Sequence, residues 1–259
     1  MTGRIEARFE GRVAVLQLMG RNGSNPMDEG FVRDLDSAAA AISTSVEEGR
    51  TDVVVIRALG RHFSVGGDLS ELAHLPDPAS AMTRMTAFAH RGIAALHALE
   101  VPVIARWQGA AAGGGIGLLL VADIVIASRS ASLTAGYSAV GLSPDAGVSW
   151  ALSRRLGAAS AVDLMLSNRR LDSDAILAHG LAAEIVDDSH LDERIDTRVA
   201  QILEVGREAT RTTKRLVRNA SSTTLEDQLD EEAIGIARAA RCERFISAVT
   251  KYAGDSRGD

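Results

Sequence analysis

Cysteine is almost absent. Cys242 stands alone among 259 residues, which excludes an internal disulfide and fits a reducing, cytoplasmic compartment. The six histidines are scattered, none at ligand spacing from another histidine or from the cysteine, so metal binding has no support. No apolar run is long enough to span a bilayer; the longest, Ile116 to Ala127, is too short and contains Asp123. Met1-Thr2-Gly3-Arg4-Ile5-Glu6 has no apolar h-region and predicts no secretory signal. The net charge is −6 and no long basic run occurs, so neither nucleic acid nor a membrane is an expected partner. Proline does not occur after Pro144, and from Asp163 onward the chain is rich in Ala, Leu, Arg and Glu, as helices require.

The rest of the sequence has the length to bury a sizeable core. Ile5 to Leu18 alternates apolar and polar positions, predicting a strand pair with Glu10-Gly11-Arg12 as its turn. Asp28 is placed to cap a helix through Val32, Leu35, Ala39 and Ile42. A strand follows at Val53 to Arg57, then a loop from Glu71 to Ser80 holding Pro76 and Pro78, a helix from Ala81 to Leu99 and a strand from Val101. Repeated strand–turn–helix units imply an α/β core. In the C-terminal part, Leu216, Val217, Ile234, Ile236 and Ala237 give helices apolar faces that need a partner. The basic stretch from Arg211 to Arg218 reads as a solvated helix face, because no aromatic residue is interleaved for base stacking.

Two glycine clusters carry the functional information. His62-Phe63-Ser64-Val65-Gly66-Gly67-Asp68-Leu69 follows the Val53 strand, and Gly109-Ala110-Ala111-Ala112-Gly113-Gly114-Gly115 follows the Val101 strand. Glycines at a strand-to-helix junction let backbone N–H groups approach a ligand unobstructed, with the positive end of the helix dipole aimed at it. The spacing is not G-x-G-x-x-G, and no acidic residue stands where a ribose contact is expected, so a dinucleotide site is disfavoured. Two such turns on one sheet can each donate an N–H to one oxygen, as an oxyanion hole requires.

With these residues in place, the chain resembles the enoyl-CoA hydratase/isomerase (crotonase) superfamily from about Ile5 to about Val249. Its pattern is an F-S-A-G-x-D-L turn, then G-x-A-x-G-G-G and an apolar run ending in D-I/L, and both motifs occur here in order. The resemblance implies an α/β fold, a spiral of β-β-α turns spanning residues 1–195, followed by a helical trimerisation region at 196–259. It implies a homotrimer or hexamer, an acyl-CoA substrate and a place in fatty acid metabolism. No separate cofactor is implied, since coenzyme A is part of the substrate. The thioester oxygen would sit between the N–H groups of Gly67 and Gly114, stabilising an enolate. Losing one such donor typically costs roughly 3–4 kcal/mol in the transition state.

Hydratases of this kind carry two glutamates that activate and deliver water. The matching positions here hold Gly117 and Tyr137, so water addition by that route is not expected. Asp145 falls where dienoyl-CoA isomerases, ring-epoxide isomerases of phenylacetyl-CoA breakdown and chlorobenzoyl-CoA dehalogenases carry an aspartate. It is the candidate proton shuttle, and desolvation in an acyl pocket would make it a better base; a helix cap after Pro144 is the alternative role. Tyr137 corresponds to a pocket-lining aromatic of the aryl-CoA branches, and His90 to a functional histidine of the dehalogenases. For coenzyme A, the resemblance points to Arg21, Asn25 and Pro26 in an early loop, to Ser64, Val65, Asp68 and Leu69 around the adenine, and to Lys251 with a one-residue shift. The reading is double-bond or ring isomerisation by proton transfer. A weakly active hydratase, a dehalogenase-like enzyme and a non-catalytic acyl-CoA binder stand as alternatives.

Overall fold

A computed structural model describes residues 3–255. The chain runs β1 (Ile5–Glu10), β2 (Val13–Leu18), α1 (Glu29–Glu47), β3 (Val53–Ala58), α2 (Leu69–Leu72), α3 (Pro78–Ala98), β4 (Val103–Trp107), β5 (Ala110–Ala112), α4 (Gly114–Leu120), β6 (Ile124–Ser128) and β7 (Ser132–Thr134). It continues with α5 (Val148–Leu156), α6 (Ala158–Ser167), α7 (Ser173–Ala178), β8 (Glu184–Val186), α8 (Leu191–Val205), α9 (Arg207–Asn219), α10 (Leu225–Ala239) and α11 (Glu243–Asp255). No helix among the described residues is long and apolar enough to cross a membrane.

Six strands form one sheet in the order β1-β2-β3-β4-β6-β8, antiparallel at the first pair and parallel thereafter. Parallel strands are connected by helices and are therefore covered on both faces. Alternation along β3 shows this directly. Val54 and Ile56 join the large core with Phe31, Leu35 and Ile42 of α1, whereas Val53 and Val55 join Ile104, Ile126, Leu191 and Ile195 on the opposite face. Fully burying a side chain such as Phe31 or Ile42 stabilises the fold by about 1.5–3 kcal/mol. Beside this sheet, β5 and β7 pair in a short second one, continuing the strand–turn progression through the two glycine clusters.

The α/β core, the first strand pair and the cap of α1 follow the sequence closely: the Asp28 carboxylate accepts the Phe31 N–H at 2.7 Å. Three expectations, on a loop, a strand and a helix face, need correction. The loop expected from Glu71 to Ser80 is shorter. The Asp68 carboxylate nucleates a single turn, α2, by accepting from Ser70 and Glu71, and Asp77 caps α3 with Pro78 at its first position. Pro is favoured there because that N–H has no intrahelical partner. Leu191 and Ile195 of α8 pack on the sheet, and the helices that stand off the sheet begin after Gly206. The strand β8, within the Ala- and Arg-rich half, extends the sheet by pairing with β6. Finally, the basic stretch on α9 is not a solvated face.

That basic face is what α9 docks with, since Lys214 is its only buried residue. Arg207 donates to the Val46 and Thr51 carbonyls at 2.7 and 2.8 Å and to Asp52 at 2.6 Å. Arg218 reaches the His97 carbonyl and pairs with Asp123 at 3.0 Å. Val46 and His97 lie in the last turns of α1 and α3, where carbonyls lack intrahelical partners and the dipole favours cations. Lys214 donates to the Val101 carbonyl at 2.6 Å and pairs with Asp123 at 2.7 Å. Burial pushes the Lys214 ammonium down from the ordinary 10.5 to about 8, even though Asp123 opposes the shift.

This titration has a definite sign. Between about pH 8 and 10.5 the unfolded chain keeps the Lys214 proton while the folded chain has released it, so this group adds stability as pH rises, by at most about 1.4 kcal/mol per pH unit. In Lys214→Met the Asp123 carboxylate keeps Arg218 and the Val103 N–H, so the fold should survive. The stability difference between parent and variant, measured by denaturant unfolding, should move in the parent's favour from pH 8 to pH 10. A difference that stays flat, or falls, overturns the assignment.

Candidate active site

The two glycine clusters meet because one of them is stitched to the other. Phe63 and Ser64 donate their N–H groups to the Ala110 carbonyl at 3.1 and 3.3 Å, and the Ala112 N–H returns to the Ser64 carbonyl at 2.9 Å. At the end of this short ladder Gly66 adopts a φ of +80°, and a β-carbon there would stand 2.7 Å from the Ala112 carbonyl oxygen and 3.1 Å from the Gly113 Cα. Only glycine meets both demands. The next residue, Gly67, faces open space, with nothing within 4 Å of where a β-carbon would be. Gly114 is the first residue of α4, where an N–H has no intrahelical acceptor.

Gly67 and Gly114 line one cavity of about 320 Å³ together with Tyr137 and Asp145. A β-carbon on Gly114 would lie 3.7 Å from Asp145 Oδ1, so the carboxylate stands directly beside the start of α4. Among the described residues Asp145 is the only acidic one in the lining, and the remaining wall is largely apolar, with Met27, Val32, Met82, Met85 and Ala89 among its residues. Three methionines give that wall side chains that reshape around different apolar groups.

Tyr137 holds Asp145 from the side. Its hydroxyl donates to Asp145 Oδ1 at 2.5 Å. Burial, and then the adjacent carboxylate, raise the Tyr137 hydroxyl far above the ordinary phenol range, so it remains a neutral donor. Tyr137 thereby occupies one of the two carboxylate oxygens. The expected alternative, a helix cap, does not occur, because the N-cap of α5 is Gly147 and no side chain caps that helix.

The other candidate residues divide into supports and rim. Asn25 and Ser64 are fully buried. The Asn25 amide donates to the Leu59 and His62 carbonyls at 3.0 and 2.8 Å and its oxygen accepts the Gly20 N–H at 2.7 Å. Ser64 Oγ donates to the Asn25 carbonyl at 2.8 Å. Both hold loops from beneath and neither lines the cavity. The Pro26 carbonyl accepts the Asp28 N–H at 3.2 Å. Val65 and Leu69 are exposed and line the cavity. Asp68, held below the usual carboxylate range first by its hydrogen bond from Ser70, caps α2. Arg21 is exposed on the loop before Met27, its Nη2 3.8 Å from the buried Asp28 carboxylate. Lys251 lies on the exposed face of α11, outside the lining.

His90 and Gly117 are not in this cavity; both line a neighbouring apolar cleft of about 270 Å³. The methionine wall is what sequence reasoning missed. The signal was present in α3, where Met82, Met85 and Ala89 recur at helical spacing, but that spacing looks the same for any core-facing helix.

The enoyl-CoA hydratase/isomerase family model matches residues 8–253. A Mycobacterium tuberculosis protein named as a probable enoyl-CoA hydratase is 34% identical over 169 residues, and the chain spans 64% of that relative's length and 64% of its own. The 1,2-epoxyphenylacetyl-CoA isomerase of Escherichia coli is 32% identical over 184 residues, 69% of either protein. A solved structure of a Thermobifida fusca YX protein in complex with acetoacetyl-CoA is similar with a TM-score of 0.83 at 28% identity, covering 93% of this chain and 96% of that one.

Adjacent glycines should respond in opposite ways to the same change. Gly66→Ala forces a methyl against the Ala112 carbonyl at a left-handed φ and should cost about 2 kcal/mol or more of stability. Gly67→Ala, with open space around it, should stay within about 0.5 kcal/mol of the parent. Urea midpoints of the two variants decide it; equal losses would show that the turns do not depend on each other.

Proposed function

The chain belongs to the enoyl-CoA hydratase/isomerase family, and we propose that it shifts a double bond or rearranges a ring in an apolar acyl-CoA thioester by proton transfer through Asp145. The observation that carries this reading is a lone carboxylate set beside a backbone N–H: Asp145 adjoins Gly114, and no other acid among the described residues lines the cavity. Adding water calls for one group to activate it and another to deliver the proton. One carboxylate suits a different task, taking a proton from carbon and returning it nearby.

In this mechanism the thioester oxygen accepts hydrogen bonds from the Gly67 and Gly114 N–H groups. The free Asp145 oxygen removes a proton from a carbon conjugated to the carbonyl, and the electron pair left behind delocalises onto the oxygen as an enolate. The donors are fixed by the fold before the charge appears, so they need no reorganisation when it does. Asp145, now protonated, returns the proton to another carbon of the same system, which restores the carboxylate and the thioester. Tyr137 keeps the carboxylate aimed throughout, and the apolar wall excludes the water that would compete for the intermediate.

His90 does not suit the part of a second base. It lies in the adjacent cleft, and its Nε2 accepts the Ala146 N–H at 3.2 Å, which disfavours the dehalogenase-like reading. The coenzyme A end is assigned to the rim formed by Val65 and Leu69, with Arg21 offering a cation for phosphate.

Asp145→Asn keeps the size of the side chain and removes its basic oxygen. It should lower substrate-dependent deuterium exchange at the carbons next to the thioester by about a hundredfold or more. Acyl-CoA affinity should remain nearly unchanged. Mass spectrometry over a panel of acyl-CoAs in D₂O measures both. Exchange as fast as in the parent would return Asp145 to a structural role and favour a silent binder.

The same reading includes a trimer or hexamer. Leu225, Leu229, Ile236, Phe245 and Ile246 are exposed on α10 and α11, and apolar side chains gathered on an exposed face mark an interaction surface. Sedimentation at micromolar concentration should give three or six copies, and a stable monomer would contradict it.

A further inference from the structure

Asp145 sits at the start of an unusual turn. Ala146, its neighbour, has a φ of +51°, and Gly147 follows at +74°. A left-handed alanine is uncommon and needs the surroundings to hold it. Two residues do so, both from the adjacent cleft. Below the turn, Gly117 of α4 lies so close to the Ala146 carbonyl oxygen that a methyl at 117 would overlap it. Above it, His90 of α3 accepts the N–H of the buried Ala146 at 3.2 Å. A buried N–H without an acceptor is costly, so the imidazole gives the left-handed turn a reason to persist.

We propose that His90 and Gly117 are positioning residues that hold the Asp145 carboxylate in place through the Ala146 peptide. Asp145 is then fixed at two points: Tyr137 on its carboxylate and the latched Ala146 on its backbone. The latch has a second connection. Residue 90 directly follows Ala89 of the cavity wall, and Met82, Met85 and Thr86 of the same helix line that wall as well. The helix that touches the apolar group of the substrate thus also carries the residue that holds the base.

This inference rests on the proton-transfer reading, so its test includes a readout that needs no reaction. His90→Leu keeps bulk and removes the acceptor; His90→Gln places an amide oxygen near the Nε2 position; Gly117→Ala pushes on the Ala146 carbonyl from below. Backbone amide hydrogen exchange of the peptide containing Ala146 reports the latch. Deuterium incorporation into butenoyl-CoA reports the base, and butyryl-CoA affinity reports the cavity.

His90→Leu and Gly117→Ala should each raise amide exchange at Ala146 and slow deuterium incorporation about tenfold, the worth of one hydrogen bond, with butyryl-CoA affinity within about twofold of the parent. His90→Gln should recover most of both losses. Unchanged amide exchange in His90→Leu overturns the proposal, as does a glutamine variant no better than leucine, or affinity lost in step with rate. If the parent itself incorporates no deuterium while the amide responses appear as expected, the proton-transfer reading fails and the latch stands as the means by which this turn is held.

Discussion

The close approach of Gly66 to the Ala112 carbonyl, beside the hydrogen bonds that join Ser64 to Ala110 and Ala112, sets the distance between two segments far apart in sequence. From it follow the neighbouring positions of Gly67 and Gly114 and the cavity they line. Asn25 and Ser64 belong to the same construction: buried under the turns, they satisfy carbonyls and an N–H that the loops would otherwise leave unpaired. Polar residues here act as struts, and the apolar residues of α1 and α3 supply the walls.

A different physics attaches the C-terminal helices. The sheet and its covering helices join by apolar burial on both faces, whereas α9 meets them through cations placed on helix-end carbonyls and on Asp52 and Asp123. Such contacts demand particular angles and distances, while apolar burial tolerates sliding. The core therefore has a contact that fixes how α9 is oriented, and α10 and α11 extend from there with apolar faces uncovered.

What was legible in the sequence, and what was not, divides along similar lines. The glycine clusters could be read because close backbone contact permits almost no other residue, and Asp145 was reached only through the resemblance, which places an aspartate at that position. The parallel strands announced themselves as apolar runs. β8 and α2 are too short for periodicity to register, and α2 exists because Asp68 caps it. Lys214 was misread since a basic helix face resembles a solvated one; its partners are the Val101 carbonyl and Asp123, from distant segments. The same holds for the Tyr137–Asp145 hydrogen bond, which spans a loop whose path no local pattern fixes.

Gly67 and Gly114 differ from Asp145 in how they can change over generations. A side-chain acid is erased by a single codon change, but a backbone N–H is carried by every residue except proline and persists through almost any substitution that leaves the turn intact. Under the proposed mechanism, a lineage with this architecture can therefore lose, gain or relocate the side chains around the cavity without surrendering the backbone N–H groups assigned to the enolate. The backbone donors make the scaffold a durable starting point for new chemistry, with the identity of the reaction written in the few residues free to vary.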